Sequence, residues 1–227
     1  MKVPKALHSW NISPRDAIDI QKDLAPRVVR RGSIRNLRVA LGADLAFTSD
    51  KQRCIAGVVV WDVLSQTVLE EHVILRPVRF PYVPGLLSFR EAPAILAALR
   101  KVKTEPDVLL FDGQGIAHPR RFGLAAHVGL LLNRPSVGCA KSRLTGEGVE
   151  PGLERGAVET LYDGEECIGM TLRTRTKVKP LYISIGHRVS LQTAVDVTLV
   201  CATRYRLPEP TRLADQLVAR AKTELAS

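Results

Sequence analysis

The stretch Val108-Leu-Leu-Phe-Asp-Gly-Gln-Gly-Ile-Ala-His-Pro-Arg-Arg-Phe-Gly123 opens as a continuous apolar run and turns abruptly into an acid, glycines, a histidine and paired arginines. An uninterrupted apolar run of this kind reads as a strand buried on both faces, as central strands of α/β sheets are. Ligands of such sheets gather outside the strand ends. Asp112, at the exit of the run, is therefore a candidate site residue, and the loop behind it a candidate ligand-handling segment.

Working outward, Ile95, Leu96, Leu99 and Val102 recur at helical spacing before the strand, residues 124–132 predict a helix after it, and 136–140 a further short strand. Upstream, strand-like runs at 37–47, 54–62 and 67–75 are joined by segments short enough for hairpins, which makes them antiparallel neighbours. A helix is predicted from Ser13 as N-cap and Pro14 at the first helical position through Val29. An antiparallel meander followed by helix, strand, helix, strand predicts an α/β mixed sheet with helices on its faces. On the first strand Ala40, Gly42, Asp44 and Ala46 share one face, so Asp44 stands among small residues that leave room around a carboxylate. The segment 149–179 predicts a hairpin and a basic loop around Arg173, Arg175, Lys177 and Lys179.

With 227 residues and 45% hydrophobic content the chain can bury a sizeable core, read as one domain over 1–227. The 33 Lys and Arg against 23 Asp and Glu, a formal +10, favour a polyanionic partner, nucleic acid first, because each neutralised phosphate releases counterions. No apolar run approaches the roughly 20 residues that cross a bilayer, and the start does not resemble a signal peptide. A cytoplasmic protein without membrane association is expected. Cys54, Cys139, Cys167 and Cys201 lie far apart, which suggests neither a disulfide framework nor a thiolate zinc site. His118, His127 and Cys139 match no usual zinc spacing, and His127 reads as a helix residue inside the fold.

Two strand-end acids, Asp44 and Asp112, near the middle of one sheet repel each other unless a cation lies between them. A hard divalent ion such as Mg²⁺ takes oxygen ligands and suits that arrangement. The competing account is that each Asp caps a turn. Ser88-Phe-Arg-Glu91 fits the capping box S-x-x-E, in which Glu91 reaches back to the Ser88 amide.

The blocks Gly42-Ala-Asp-Leu-Ala46, Pro81-Tyr-Val-Pro-Gly-Leu-Leu-Ser-Phe-Arg-Glu-Ala-Pro93, Asp112-Gly-Gln-Gly-Ile-Ala-His-Pro-Arg120, Val137-Gly-Cys-Ala-Lys141 and Pro208-Glu-Pro-Thr-Arg212 together resemble the endonuclease V family, the deoxyinosine 3′ endonucleases of DNA repair. The resemblance implies a ribonuclease H-like mixed sheet with helices on both faces. It also implies an acidic site that binds Mg²⁺, with Mn²⁺ able to substitute. By its motifs Asp44, Glu91 and Asp112 are the metal-site carboxylates, Glu91 directly or through water, and His118 and Lys141 lie near the scissile phosphate. Tyr82 is the wedge that opens the duplex beside the lesion. Substrate contact is implied at Pro81, Pro84, Gly85, Arg90, Gly113, Gln114, Gly115, Arg120 and Arg121. The substrate implied is DNA containing deoxyinosine, single- or double-stranded, nicked at the second phosphodiester on the 3′ side by a monomer. A nuclease of the same fold acting on inosine-containing RNA or branched DNA, and a binding protein without catalysis, are the competing readings. Some family members carry a histidine shortly after the Pro-Glu-Pro-Thr-Arg block. Here Ala214-Asp215-Gln216 stands in that place, so Asp215 either faces the metal site through water or is a plain helix residue.

From the residues themselves, the prolines flanking Tyr82-Val83 stiffen the loop that presents the ring, and Gly113 and Gly115 let backbone approach a ligand closely.

Overall fold

The computed structural model describes residues 1–225. Its strands are β1 (Val39–Phe47), β2 (Arg53–Asp62), β3 (Thr67–Pro77), β4 (Val108–Phe111), β5 (Ser136–Ala140), β6 (Val158–Asp163), β7 (Glu166–Leu172) and β8 (Leu181–His187). The helices are α1 (Pro14–Leu24), α2 (Leu87–Leu99), α3 (Leu124–Leu132), α4 (Leu191–Cys201) and α5 (Glu209–Glu224). The strands form one sheet in the order β3-β2-β1-β4-β5-β8-β7-β6. β1 to β3 make the expected antiparallel meander, while β4 runs parallel to both β1 and β5. The apolar run that opened the sequence reading is thus a central strand, and all its side chains are buried.

Alternation along β4 separates two cores. Leu109 and Phe111 pack with Ile95 and Leu99 of α2 and with Val128 of α3. Val108 and Leu110 pack instead with Val195 and Cys201 of α4 and with Leu24 beyond them. Helices therefore cover both faces, as period-two strands at the centre of a sheet require.

α5 lies directly on β1 and β2, and glycines make the approach possible. A Cβ at Gly42 would stand 2.1 Å from the Pro210 carbonyl carbon, and one at Gly57 2.6 Å from Cγ1 of Val218. The sequence reading left β8, α4 and this helix unplaced.

α1 begins as expected. The Ser13 side chain accepts from the Asp16 amide and the Asp16 carboxylate accepts from the Ser13 amide. It ends at Leu24, followed by a 3-10 turn at Ala25–Arg27, rather than running to Val29. Pro26 has no amide to donate and its ring crowds the preceding turn.

Candidate active site

Because β1 and β4 are parallel neighbours with Ala43 opposite Phe111, Asp44 and Asp112 stand level with each other. Asp112 leaves the sheet at the end of β4, whereas Asp44 lies within β1 opposite Gly57, so of the two acids expected at strand ends only Asp112 is at one. Lys141 follows the last residue of adjacent β5, and its Nζ lies 2.5 Å from Oδ2 of Asp112. Asp215, the seventh residue of α5, adds its Oδ1 3.8 Å from the same ammonium. The register of the sheet and the seating of α5 on Gly42 thus bring distant residues to one strand end.

Glu91 comes from α2, on the opposite face. Ser88 does not cap that helix. α2 begins at Leu87, Leu86 holds the N-cap position without a side-chain cap bond, and the buried Ser88 hydroxyl pairs with Nδ1 of His127 at 3.0 Å. The capping-box account of Glu91 is therefore corrected: the helix starts too early for Ser88 to lie outside its first turn. Glu91 lines instead the cleft it shares with Asp112, Lys141 and Tyr82.

The carboxylates feel one another. Burial pushes the Asp44 carboxyl up to about 7, with the Asp112 and Asp215 charges adding to it. Burial likewise pushes Glu91 up to about 7, helped by the charge on Asp44. Burial alone would pull the Lys141 ammonium down, but its bond to Asp112 and the surrounding acids outweigh this, and its pKa rises. Among the described residues no group of three or more His, Cys, Asp or Glu side chains encloses a possible metal position as the side chains lie. On Asp112 the Lys141 ammonium supplies the positive charge. The chemistry of the donor set still fits a hard cation: oxygen ligands only, and acids whose mutual repulsion such a charge relieves.

The cleft has a volume of about 450 Å³ and runs from Tyr82, Pro84 and Gly85 past Asp112 to Ser142 and Arg143. Tyr82 stands 70% exposed at its rim. Behind it, Gly85 adopts φ +77°, a left-handed conformation that suits glycine. Its carbonyl accepts from Nε2 of Gln21 at 3.0 Å, Nε2 of His118 at 3.0 Å and Nη2 of Arg120 at 2.8 Å. Gln21, from α1, is fully buried; it also donates to the Phe122 carbonyl and accepts from Nε of Arg120. The Tyr82 loop is thus clamped from below.

This clamp and nearby ion pairs engage several of the expected contact residues within the protein. His118 Nδ1 accepts from the Arg120 amide at 3.1 Å, so Nε2 is the protonated nitrogen that donates to Gly85. Burial first, then the Arg120 charge, hold its pKa down to about 4. His118 is therefore a neutral side chain with both nitrogens engaged, and it lines the cleft. Arg120 is taken up by the same clamp. Arg121 pairs with Asp163 at 2.8 Å and Glu166 at 2.7 Å, and Arg90 donates to the Phe80 carbonyl at 2.7 Å while lying over the Phe47 ring. Pro81 is exposed beside the wedge.

Gly113 borders the cleft, but Gly115 does not. Its amide donates to Oγ of Ser184 at 2.8 Å, and a Cβ there would lie 2.0 Å from the Ile185 carbonyl oxygen. Gly115 permits the loop to pack onto β8, a different task from contacting a ligand. Gln114 is buried at the cleft. Its Nε2 donates to the Ser142 carbonyl at 3.0 Å, and its Oε1 is left without a partner in the structure. The zinc alternative finds no support in where its residues lie: Cys139 is buried in β5 near Thr198, its thiol pushed up to about 12 by burial, and His127 packs among Trp10, Phe89 and Phe122.

Residues 22–216 match the family model for endonuclease V. The chain is 50% identical over 210 residues to an endonuclease V of Methanothrix thermoacetophila, covering 92% of each. It superposes on the crystal structure of the Streptomyces avermitilis endonuclease V with a TM-score of 0.91 at 39% identity, over 99% of this chain and 98% of that one. The Ciona intestinalis endonuclease V, solved with a 24mer DNA containing an inosine followed by a ribo-adenosine, shares the fold at a TM-score of 0.82 and 24% identity, over 93% of this chain and 98% of that one. The architecture is ribonuclease H-like, and the chain belongs to the endonuclease V family of nucleases.

Proposed function

We propose that this chain is a Mg²⁺-dependent deoxyinosine endonuclease that hydrolyses the second phosphodiester 3′ to the lesion and leaves the base in place. The observation that carries this reading is the convergence of Asp44 and Asp112, level with each other on adjacent parallel strands, with Glu91 from the opposite face, beside a cleft rimmed by an exposed tyrosine. Asp44, Asp112 and Glu91 would hold the ion, with Mn²⁺ able to take its place. When bound, a divalent ion activates water and offsets charge on a phosphoryl oxygen.

The remaining work falls to side chains of this protein. Lys141 places a positive charge where negative charge develops on the phosphate. Tyr82 fills the gap left in the stack when the lesion turns into the cleft, as wedging side chains do. His118, Arg120 and Gln21 hold the loop that carries the wedge. The Ciona protein's DNA carries a ribose directly after its inosine, which makes the sugar on the 3′ side a variable to test here.

The deciding experiment incubates the purified protein with end-labelled strands containing one inosine, as DNA and as matched RNA, with and without Mg²⁺, and maps the product ends. A metal-dependent nick at the second phosphodiester 3′ of deoxyinosine supports the reading. Cleavage of RNA alone replaces it with the ribonuclease reading, and Asp112→Asn with undiminished turnover removes the proposed chemistry.

A further inference from the structure

α2 is a wall shared by two cavities. Ser88 and Glu91 line the cleft, whereas Phe89, Arg90 and Pro93 face a second cavity of about 280 Å³ closed on its other sides by the N-terminal segment and the end of β3. This second cavity is lined by four arginines, Arg76, Arg79, Arg90 and Arg100, and by no described Asp or Glu. Trp10 and Phe80 add aromatic faces.

The arginines are not equally engaged. Arg76 donates to the Pro93 carbonyl at 3.2 Å. Arg90 uses its terminal nitrogens on backbone carbonyls while its buried Nε has no partner in the structure. Arg79 and Arg100 are exposed at the rim, with no side-chain partner among the described residues. Glu91 lies within electrostatic reach of Arg90, but four guanidinium groups around one cavity outnumber it, and concentrating them costs electrostatic energy that an anion relieves; the planar fork of arginine matches phosphate oxygens in pairs. Sites for whole small molecules run from about 300 Å³ upward, so this cavity suits a phosphate with part of its nucleotide. Position points to the source of that phosphate. Phe80 lines this cavity while Tyr82, Pro84 and Gly85 line the cleft, so the wedge loop passes between the two.

We propose that the arginine cavity is a second phosphate subsite, taking a backbone phosphate of the nucleic acid on the side of the Tyr82 loop away from the cleft. The proposal rests on the nucleic-acid reading above but not on the chemistry in the cleft.

The test compares wild type with Arg79→Ala/Arg100→Ala, by anisotropy across a salt series, on inosine duplexes trimmed stepwise from either end. On the full duplex the variant should bind about tenfold more weakly, with a salt slope shallower by roughly one. Once trimming removes the contacted phosphate the two proteins should bind alike, and nicking at saturating enzyme should stay unchanged throughout. Arg79→Lys/Arg100→Lys should recover most of the slope, and matching melting temperatures would show that folding is not the cause. An equal deficit at every duplex length, or none, overturns the subsite. It is also overturned if orthophosphate or AMP raises the melting temperature of wild type only while both proteins bind DNA alike, because the cavity then serves a free phosphate. A length-dependent deficit of the variant, alongside a wild-type protein that fails to nick inosine strands, would leave the subsite standing and remove the proposed function instead.

Discussion

Glu91 and Asp44 each keep a proton up to about pH 7 because burial and neighbouring acids disfavour the carboxylate. In the unfolded chain both groups ionise near pH 4. Between those limits the folded state binds more protons than the unfolded one, so the contribution of these groups to the fold is fully present below about pH 4 and is lost as pH rises from there through about 7. Glu91→Gln removes the group that must ionise. Without divalent ion the variant should match wild type near pH 4 and exceed it at pH 8 by on the order of 1–2 kcal/mol, a gain of roughly 2–8 °C. Melting curves at both pH values check this; an advantage that does not grow with pH refutes the assignment. Tyr82 belongs to the same scale. Its ring is 70% exposed, so Tyr82→Ala should leave the melting temperature unchanged. A lost stacking contact of about 1–3 kcal/mol should lower kcat/KM on inosine duplex by one to two powers of ten, with a smaller loss on single strands and near-normal activity for Tyr82→Phe. Equal losses on paired and unpaired strands would show that the ring opens nothing.

At the scale of elements, the Tyr82 loop is held by α1 although the two are far apart in sequence. Gln21 bridges the Gly85 and Phe122 carbonyls and accepts from Arg120, all inside the protein. Gln21→Leu keeps the bulk but strips these partners, leaving buried carbonyls and a guanidinium short of bonds, a loss of about 1–3 kcal/mol. The loop should then present Tyr82 less rigidly. Duplex cleavage is expected to fall more than single-strand cleavage, with KM changed less than kcat. Paired kinetics on both substrates test this, and a uniform loss on both would make Gln21 a stability residue only.

For the whole molecule, the excess of Lys and Arg, a formal +10, sets affinity without sequence information. Binding of inosine and undamaged duplex should weaken along parallel lines of log Kd against log salt, each neutralised phosphate contributing about 0.9 to the slope. Arg121 is not one of the cations free for that work, since Asp163 and Glu166 hold it against β6 and β7. Arg121→Ala should therefore leave the salt slope unchanged and cost stability on the order of 1 kcal/mol. Lys141→Ala, at the cleft, should flatten the slope for both duplexes. A flatter slope for Arg121→Ala would mean its ion pairs open when nucleic acid binds.

The apolar run 108–111, the meander of β1 to β3 and the acid at the end of β4 were legible in the sequence, because burial on both faces and period-two alternation leave their mark on neighbouring residues; that Asp44 lies within β1 and not at its end was not. The motif blocks supplied the rest of the candidate site, including Glu91, which local pattern alone assigned to a helix cap. What only the tertiary structure decided was who touches whom over long distances. That Ser88 sits inside α2 bonded to His127, that His118 and Arg120 spend themselves on the Gly85 carbonyl, and that Gly115 serves packing against β8 all depend on contacts between segments far apart in the chain. A side chain bonded to a remote backbone carbonyl imposes no periodicity and no composition on its own surroundings. Sequence therefore fixes which groups are available, whereas the folded sheet and the helices on it determine which of them remain free to meet a substrate.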